Sequence, residues 1–131
     1  LITKPLKGLK LKGTFHYDQG YYYFRDLDSR ILLGGGRNLD IAGETTLELG
    51  INQRIYDHLI SMLSEVILPD SEFEVDYHWS GIMAFGANKR PLIGSHSPDV
   101  AYAVRLGGMG VSIATNVADQ FARILCFNEI D

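Results

Sequence analysis

Apolar and polar residues alternate near the start of the chain. Leu9, Leu11, Gly13 and Phe15 interleave with Lys10, Lys12 and Thr14, the period of a half-buried strand. Tyr21 to Arg25 predicts a second strand, since aromatic residues suit a pleated surface. Leu27-Asp28-Ser29 predicts a turn and Arg30 to Gly34 a third strand, so residues 20–35 read as a β-hairpin. Gly34-Gly35-Gly36 then breaks regular structure, as a bulge or a close backbone crossing would require.

From Ile51 the period changes. Ile51, Ile55, Leu59, Met62, Leu63 and Val66 recur at helical spacing and predict an amphipathic helix that stops before Pro69. Thr45 with Glu48 loosely matches a capping box. Phe73 to Phe85 reads as a strand, an irregularity at Gly81 and another strand. Arg90 to Gly94 is a short extended run, and Val100 to Leu106 an apolar strand. After Gly107-Gly108-Met109-Gly110 a second helix runs to about Phe127, its apolar face carrying Val111, Ala114, Val117, Ala118, Phe121 and Leu125. The order β-β-β-α-β-β-β-α predicts an α+β fold: a mixed, mainly antiparallel sheet with two principal helices.

Composition narrows the function classes. The 131 residues are 46% hydrophobic and 21% charged, the balance of a globular chain and the length of one domain. A net charge of −4 gives no drive toward nucleic acid or an anionic membrane. No apolar run approaches the roughly 18 residues of a membrane span, and no signal peptide opens the chain. One cysteine, Cys126, excludes an internal disulfide, fits a reducing cytoplasmic setting, and reads as a buried small hydrophobe. Lys4, Lys7, Lys10 and Lys12 cluster at the start, as on a solvated edge strand or a phosphate-binding arm. The chain opens on Leu1 without an initiator methionine, and a piece of a longer protein is therefore expected.

Candidate chemistry concentrates at residues 100–112. A strand, a glycine cluster and a helix start bring unpaired backbone N–H groups and the positive helix end against any ligand lying on the turn. Such a site suits a phosphate, a carboxylate or another electron-rich edge. The same glycines suit a tight strand–helix turn without a ligand, and spacing leaves both readings open. The motif is neither G-x-G-x-x-G nor a P-loop, so a self-contained dinucleotide site is not expected. His16, His58, His78 and His96 have no metal-ligand spacing, and no metal site is expected. His58 reads as a boundary residue, whereas His78 beside Trp79 is a candidate for proton transfer as well as a structural histidine. Ser112 stands where a hydroxyl can cap the helix or touch a ligand. Alternation puts Tyr22 and Phe24 on one strand face and Tyr21, Tyr23 and Arg25 on the other.

Several segments together resemble a known family. They are YYYFRDLDSRILLGGG, a helix ending in ILPD, HWSGIMAFGANKRPLIGSHSP, and AYAVRLGGMGVSIATNVADQFARIL. In this order they resemble the C-terminal part of the FAD-dependent oxidoreductases of the D-amino acid oxidase family, which includes glycine, sarcosine and γ-glutamylputrescine oxidases. The likeness spans roughly residues 15–127 and is nearest to the putrescine-oxidase-like branch. It implies a substrate-domain-like sheet and helix over residues 1–88 and a returning FAD-domain segment over residues 89–131. The unit that binds the ADP part of FAD is absent from these residues.

The resemblance also implies roles. The final helix would point its N-terminus at the flavin pyrimidine edge, placing Gly107, Gly108, Met109, Gly110, Val111 and Ser112 against the cofactor. Tyr22 matches a tyrosine lining the substrate pocket. Met83 stands where amino-acid-oxidising members carry an arginine that grips the substrate carboxylate, so that clamp is missing or comes from elsewhere, with Arg37 and Arg25 as candidates. Arg37 and His78 join Tyr22 and Met83 as substrate-side candidates. The covalent flavin cysteine of some relatives would fall near Met83 or Ala84, so FAD is expected to bind non-covalently. Arg105 stands where relatives often have glycine. The implied reaction is oxidation of an amine or amino acid C–N bond by hydride transfer to flavin, with the chemistry supplied by FAD. The implied partners are the N-terminal FAD-binding region and a small substrate. A homodimer through an edge strand is compatible. The chain alone is expected to hold FAD weakly or not at all. The alternative is a free-standing α+β module that binds a small ligand or a protein without redox activity.

Overall fold

A computed structural model describes residues 1–127, and the chain divides into two units, Leu1–Gly81 and Ile82–Asp131. The first unit holds β1 (Ile2–Thr3), β2 (Thr14–Tyr17), β3 (Tyr22–Leu27), β4 (Arg30–Gly35), α1 (Gln53–Met62) and β5 (Val75–Tyr77). The second holds β6 (Leu92–Ser97), β7 (Val100–Val104) and α2 (Gly110–Phe127). Antiparallel sheets and two principal helices make the α+β class that the pattern predicts.

The first sheet runs β2-β3-β4-β1-β5, every pair antiparallel. Its centre is the predicted hairpin, in register from Tyr22↔Gly35 to Leu27↔Arg30. Asp28 and Ser29 both have positive φ, the backbone that lets a two-residue turn match strand twist. Gly35 has φ +117, and a Cβ there would lie 2.8 Å from Tyr22 Cα and overlap the Tyr21 carbonyl. The expected close crossing is therefore present, and glycine is required for it.

Beside the hairpin lies a strand that periodicity does not predict. Leu1 and Leu33 exchange backbone hydrogen bonds of 2.9 and 3.0 Å, which sets β1 against β4. Thr3 is fully buried, and its Oγ1 accepts the Ile31 N–H at 3.0 Å. Arg30 ties β1 to β5 by donating to the Thr3 carbonyl at 3.3 Å while pairing with Asp76.

The core packs Leu1, Tyr22, Ile31 and Leu33 against Ile55, Leu59, Met62, Leu63 and Leu68. Ile31, Leu33 and Leu63 are almost fully enclosed, each worth about 1.5–3 kcal/mol of transfer free energy. The helix after Met62 widens into a π turn, Leu63–Ile67, closed by Leu68 N–H donating to the Leu63 carbonyl at 2.8 Å. That widening shifts the helical phase, so Leu68 is buried and the predicted core residue Val66 is exposed. The cap of α1 is Asn52, whose side chain accepts the Ile55 N–H at 3.4 Å, and not the Thr45–Glu48 pair.

Two further expectations are corrected. Residues 9–13 form no ladder; Gly8 and Gly13 have positive φ, and Leu9 and Leu11 pack on the core from a loop. Between Phe73 and Phe85 only Val75–Tyr77 is strand. Lys4 and Lys12 pair with Glu74 (2.6 Å) and Asp26 (3.2 Å), contacts that spend two of the four clustered lysines inside the unit.

In the second unit β6 and β7 pair antiparallel from Leu92↔Val104 to Ser97↔Val100, with a bulge between Ser95 and Ser97. The helix α2 packs on this ribbon through Val117 and Ile124, the buried hydrophobic residues of the unit among those described. Val111 and Leu125, from the predicted apolar face, are exposed. The helix is apolar on more than one side, and the stripe through Ile113, Val117 and Ile124 is the one that turns inward. Cys126 is exposed rather than buried, because it lies off that stripe.

Candidate functional site: a glycine turn at the start of the last helix

The sequence from Leu106 to Ser112 folds as a turn that launches α2. Gly107 (φ +58) and Gly108 (φ +79) take left-handed backbone that only glycine adopts without cost. The Met109 N–H donates to the Leu106 carbonyl at 3.0 Å and closes the turn. The Met109 carbonyl then accepts the N–H groups of Ser112 (3.0 Å) and Ile113 (3.1 Å) and the Ser112 hydroxyl (2.9 Å). Gly110 and Val111 occupy the first turn of the helix, where N–H groups have no intrahelical carbonyl.

Electrostatics around the turn favour electron-rich ligands. The helix end carries about half a positive charge. No Asp or Glu lies between Val100 and Ala118, and Arg105 adds a full positive charge two residues before the glycines. Val111 is fully exposed, so the first helical turn is open to a ligand. Beside it, between β6 and α2, lies a hollow of about 440 Å³ whose walls include Ile93, Met109, Ile113 and Val117, with Lys89 and Arg90 also lining it.

Met83 belongs to the same place. Its sulfur lies 4.0 Å from the point a Cβ on Gly108 would occupy. The second unit therefore brings together seven predicted residues: Met83 with Gly107, Gly108, Met109, Gly110, Val111 and Ser112. Sequence separation gives no hint of this pairing, which depends on the path of residues 83–90 back toward β7.

The other three candidates lie in the first unit. Tyr22 is 3% exposed, and its ring packs near Tyr17 (6.1 Å between centroids) and His58 (5.4 Å). Arg37 is exposed just beyond Gly36, its guanidinium 5.4 Å from the Tyr21 ring centroid. His78 is exposed, its ring 5.0 Å from that of Tyr56, while His58 is half-buried at the boundary of the core. Sequence reasoning missed Asp40, which accepts from the Gly43 N–H and the Asn52 amide, both at 3.0 Å, and so braces the start of α1. These bonds hold its carboxyl below the usual carboxylate range. Among the described residues no group of His, Cys, Asp or Glu is arranged to hold a metal, and no helix is long and apolar enough to cross a membrane.

A family model described as FAD dependent oxidoreductase (DAO) matches residues 1–124. The chain belongs to this family. No curated protein and no solved structure matches it. Membership in a family of FAD-dependent oxidoreductases makes flavin the group to test against the turn. The donor set fits: open backbone N–H groups, a helix N-terminus, two glycines with space above them, and no Asp or Glu from Val100 to Ala118 to repel an electron-rich ring edge.

Proposed function

We propose that the chain supplies substrate-side residues and the flavin-facing turn of an FAD-dependent oxidoreductase that oxidises the C–N bond of a small amine or amino acid. Held there, FAD would supply hydride-accepting chemistry toward the carbon beside the substrate nitrogen, with negative charge developing at the pyrimidine edge of its ring. The residues Gly107 to Ser112 are the ones to hold that edge. Their backbone donors and the helix dipole are fixed before reaction, so they meet the new charge without reorganising. The observation that carries this reading is the placement of Met83 against Gly108 in a turn that presents open backbone donors.

Met83 bears on the substrate class. A thioether packs against apolar carbon and offers no cation to a carboxylate. An amine lacking an α-carboxylate is therefore the substrate this position favours. In the first unit Tyr22, Arg37 and His78 are the proposed substrate-side residues, with Arg37 as a cation and His78 as an imidazole.

Flavin is proposed to bind non-covalently and to draw its ADP site from an N-terminal FAD-binding region. The 131 residues contain no G-x-G-x-x-G, and the exposed side of α2, Val111, Ala114, Ala118 and Leu125, is an apolar surface suited to such a region. A cytoplasmic setting is proposed from the single cysteine. The outer strand β2 is the edge through which a homodimer would pair. Titrating FAD into the isolated chain tests the division of labour. Weak or undetectable binding is expected, and tight stoichiometric binding would overturn it.

A further inference from the structure

Arg105 has φ +64, a left-handed backbone that costs any residue with a side chain. The far end of that side chain is fully engaged on one side. Its Nε donates to the Arg90 carbonyl at 3.1 Å, and Nη2 donates to the same carbonyl at 2.7 Å and to Asn88 Oδ1 at 3.0 Å. Asn88 Oδ1 also accepts the Arg90 N–H at 3.1 Å, which closes a small network. The arginine stem lies across Gly86, where a Cβ would come within 2.8 Å of Cδ and Cζ and overlap Nη1. Residues 83–86 and 105–108 thus pass one another with Met83 at Gly108 and Gly86 at Arg105.

We infer that Arg105 is a positioning residue: its guanidinium pins the 86–90 loop to the end of β7 and so fixes the direction in which the Gly107–Met109 turn presents its backbone. The turn needs such a pin. The ladder between β6 and β7 ends at Leu92↔Val104, and α2 begins only at Gly110. Between them stand two left-handed glycines, whose backbone freedom is the largest of any residue. Arg105 is the first residue past the ladder and carries the side-chain bonds made there. A planar guanidinium suits the task because it can reach one carbonyl with two nitrogens and a second acceptor at once. Met83 and Gly108 each lie three residues beyond the contact of Gly86 with Arg105. The consequence for flavin rests on the reading proposed above; the pin is a property of the chain by itself.

Amide exchange on the flavin-free chain tests it, read at Met109 and Arg90, whose N–H groups have bonds to lose. Arg105→Gly relieves the backbone cost and removes the fork. The expected result is exchange about ten-fold faster at both amides, with a melting midpoint that holds or rises. Arg105→Lys keeps the charge but reaches with one nitrogen, and is expected to exchange as fast as Arg105→Gly. Unchanged exchange in Arg105→Gly, or full protection in Arg105→Lys, would overturn the pin. If both variants behave as expected while Gly110→Glu leaves unmoved the flavin potential of the chain joined to its N-terminal FAD-binding region, Arg105 pins the turn and the flavin reading is what fails.

Discussion

The sulfur of Met83 stands 4.0 Å from the place a Cβ on Gly108 would take, so the residue at the expected carboxylate-clamp position sits directly on the turn expected to meet flavin. Two positions 25 residues apart in sequence are thereby brought to one place. A thioether there leaves the backbone donors beside it open to a ligand, and brings no charge of its own.

Met83→Arg is expected to move substrate preference toward carboxylates. A bidentate arginine–carboxylate contact is worth about 1.5–3 kcal/mol, so in the FAD-bound protein that includes the N-terminal FAD-binding region kcat/KM for an α-amino acid should rise roughly ten- to hundred-fold relative to its decarboxylated amine. Steady-state kinetics on matched substrate pairs measures this. An unchanged ratio would place Met83 away from the substrate.

Thr3→Val is expected to destabilise the first unit by about 1–3 kcal/mol, because the buried Ile31 N–H loses its acceptor while volume is conserved. Denaturant unfolding of the pair reads the difference. A neutral result would mean that Ile31 finds another partner.

The Asp40 carboxyl is held below its ordinary range first by the Gly43 N–H and then by the Asn52 amide. A group whose folded pKa is depressed adds stability above its unfolded pKa and loses it as pH falls through the folded value. Wild type should therefore lose stability as pH drops below about 4, and Asp40→Asn should lose less over the same range. Thermal melts from pH 7 to pH 2.5 compare the two slopes; parallel curves would contradict the role assigned to Asp40.

Much of the fold was legible in the sequence where one signal dominated. The 20–35 hairpin announces itself through alternation and an Asp-Ser turn, and α1 through its apolar stripe. Strand β1 stayed hidden because two residues have no period; its place depends on Leu33 and Tyr77 far along the chain. Val66 misled because a π turn changes phase without changing composition. In α2 the apolar residues surround the helix, so periodicity grouped Val117, which is buried, with Val111 and Leu125, which are exposed. The glycine turn was legible as a strand–turn–helix connection, from residue type alone. Its partner Met83, and the Arg105 network beside it, depend on loop geometry that no local pattern encodes.

On the proposed function, the turn from Gly107 to Ser112 meets the flavin. The most direct measurement is the flavin reduction potential of the chain joined to its N-terminal FAD-binding region, with and without Gly110→Glu. A carboxylate at the helix N-terminus opposes the negative charge that grows there, so the account predicts a more negative potential together with loss of turnover. An unaltered potential with unaltered turnover would contradict it.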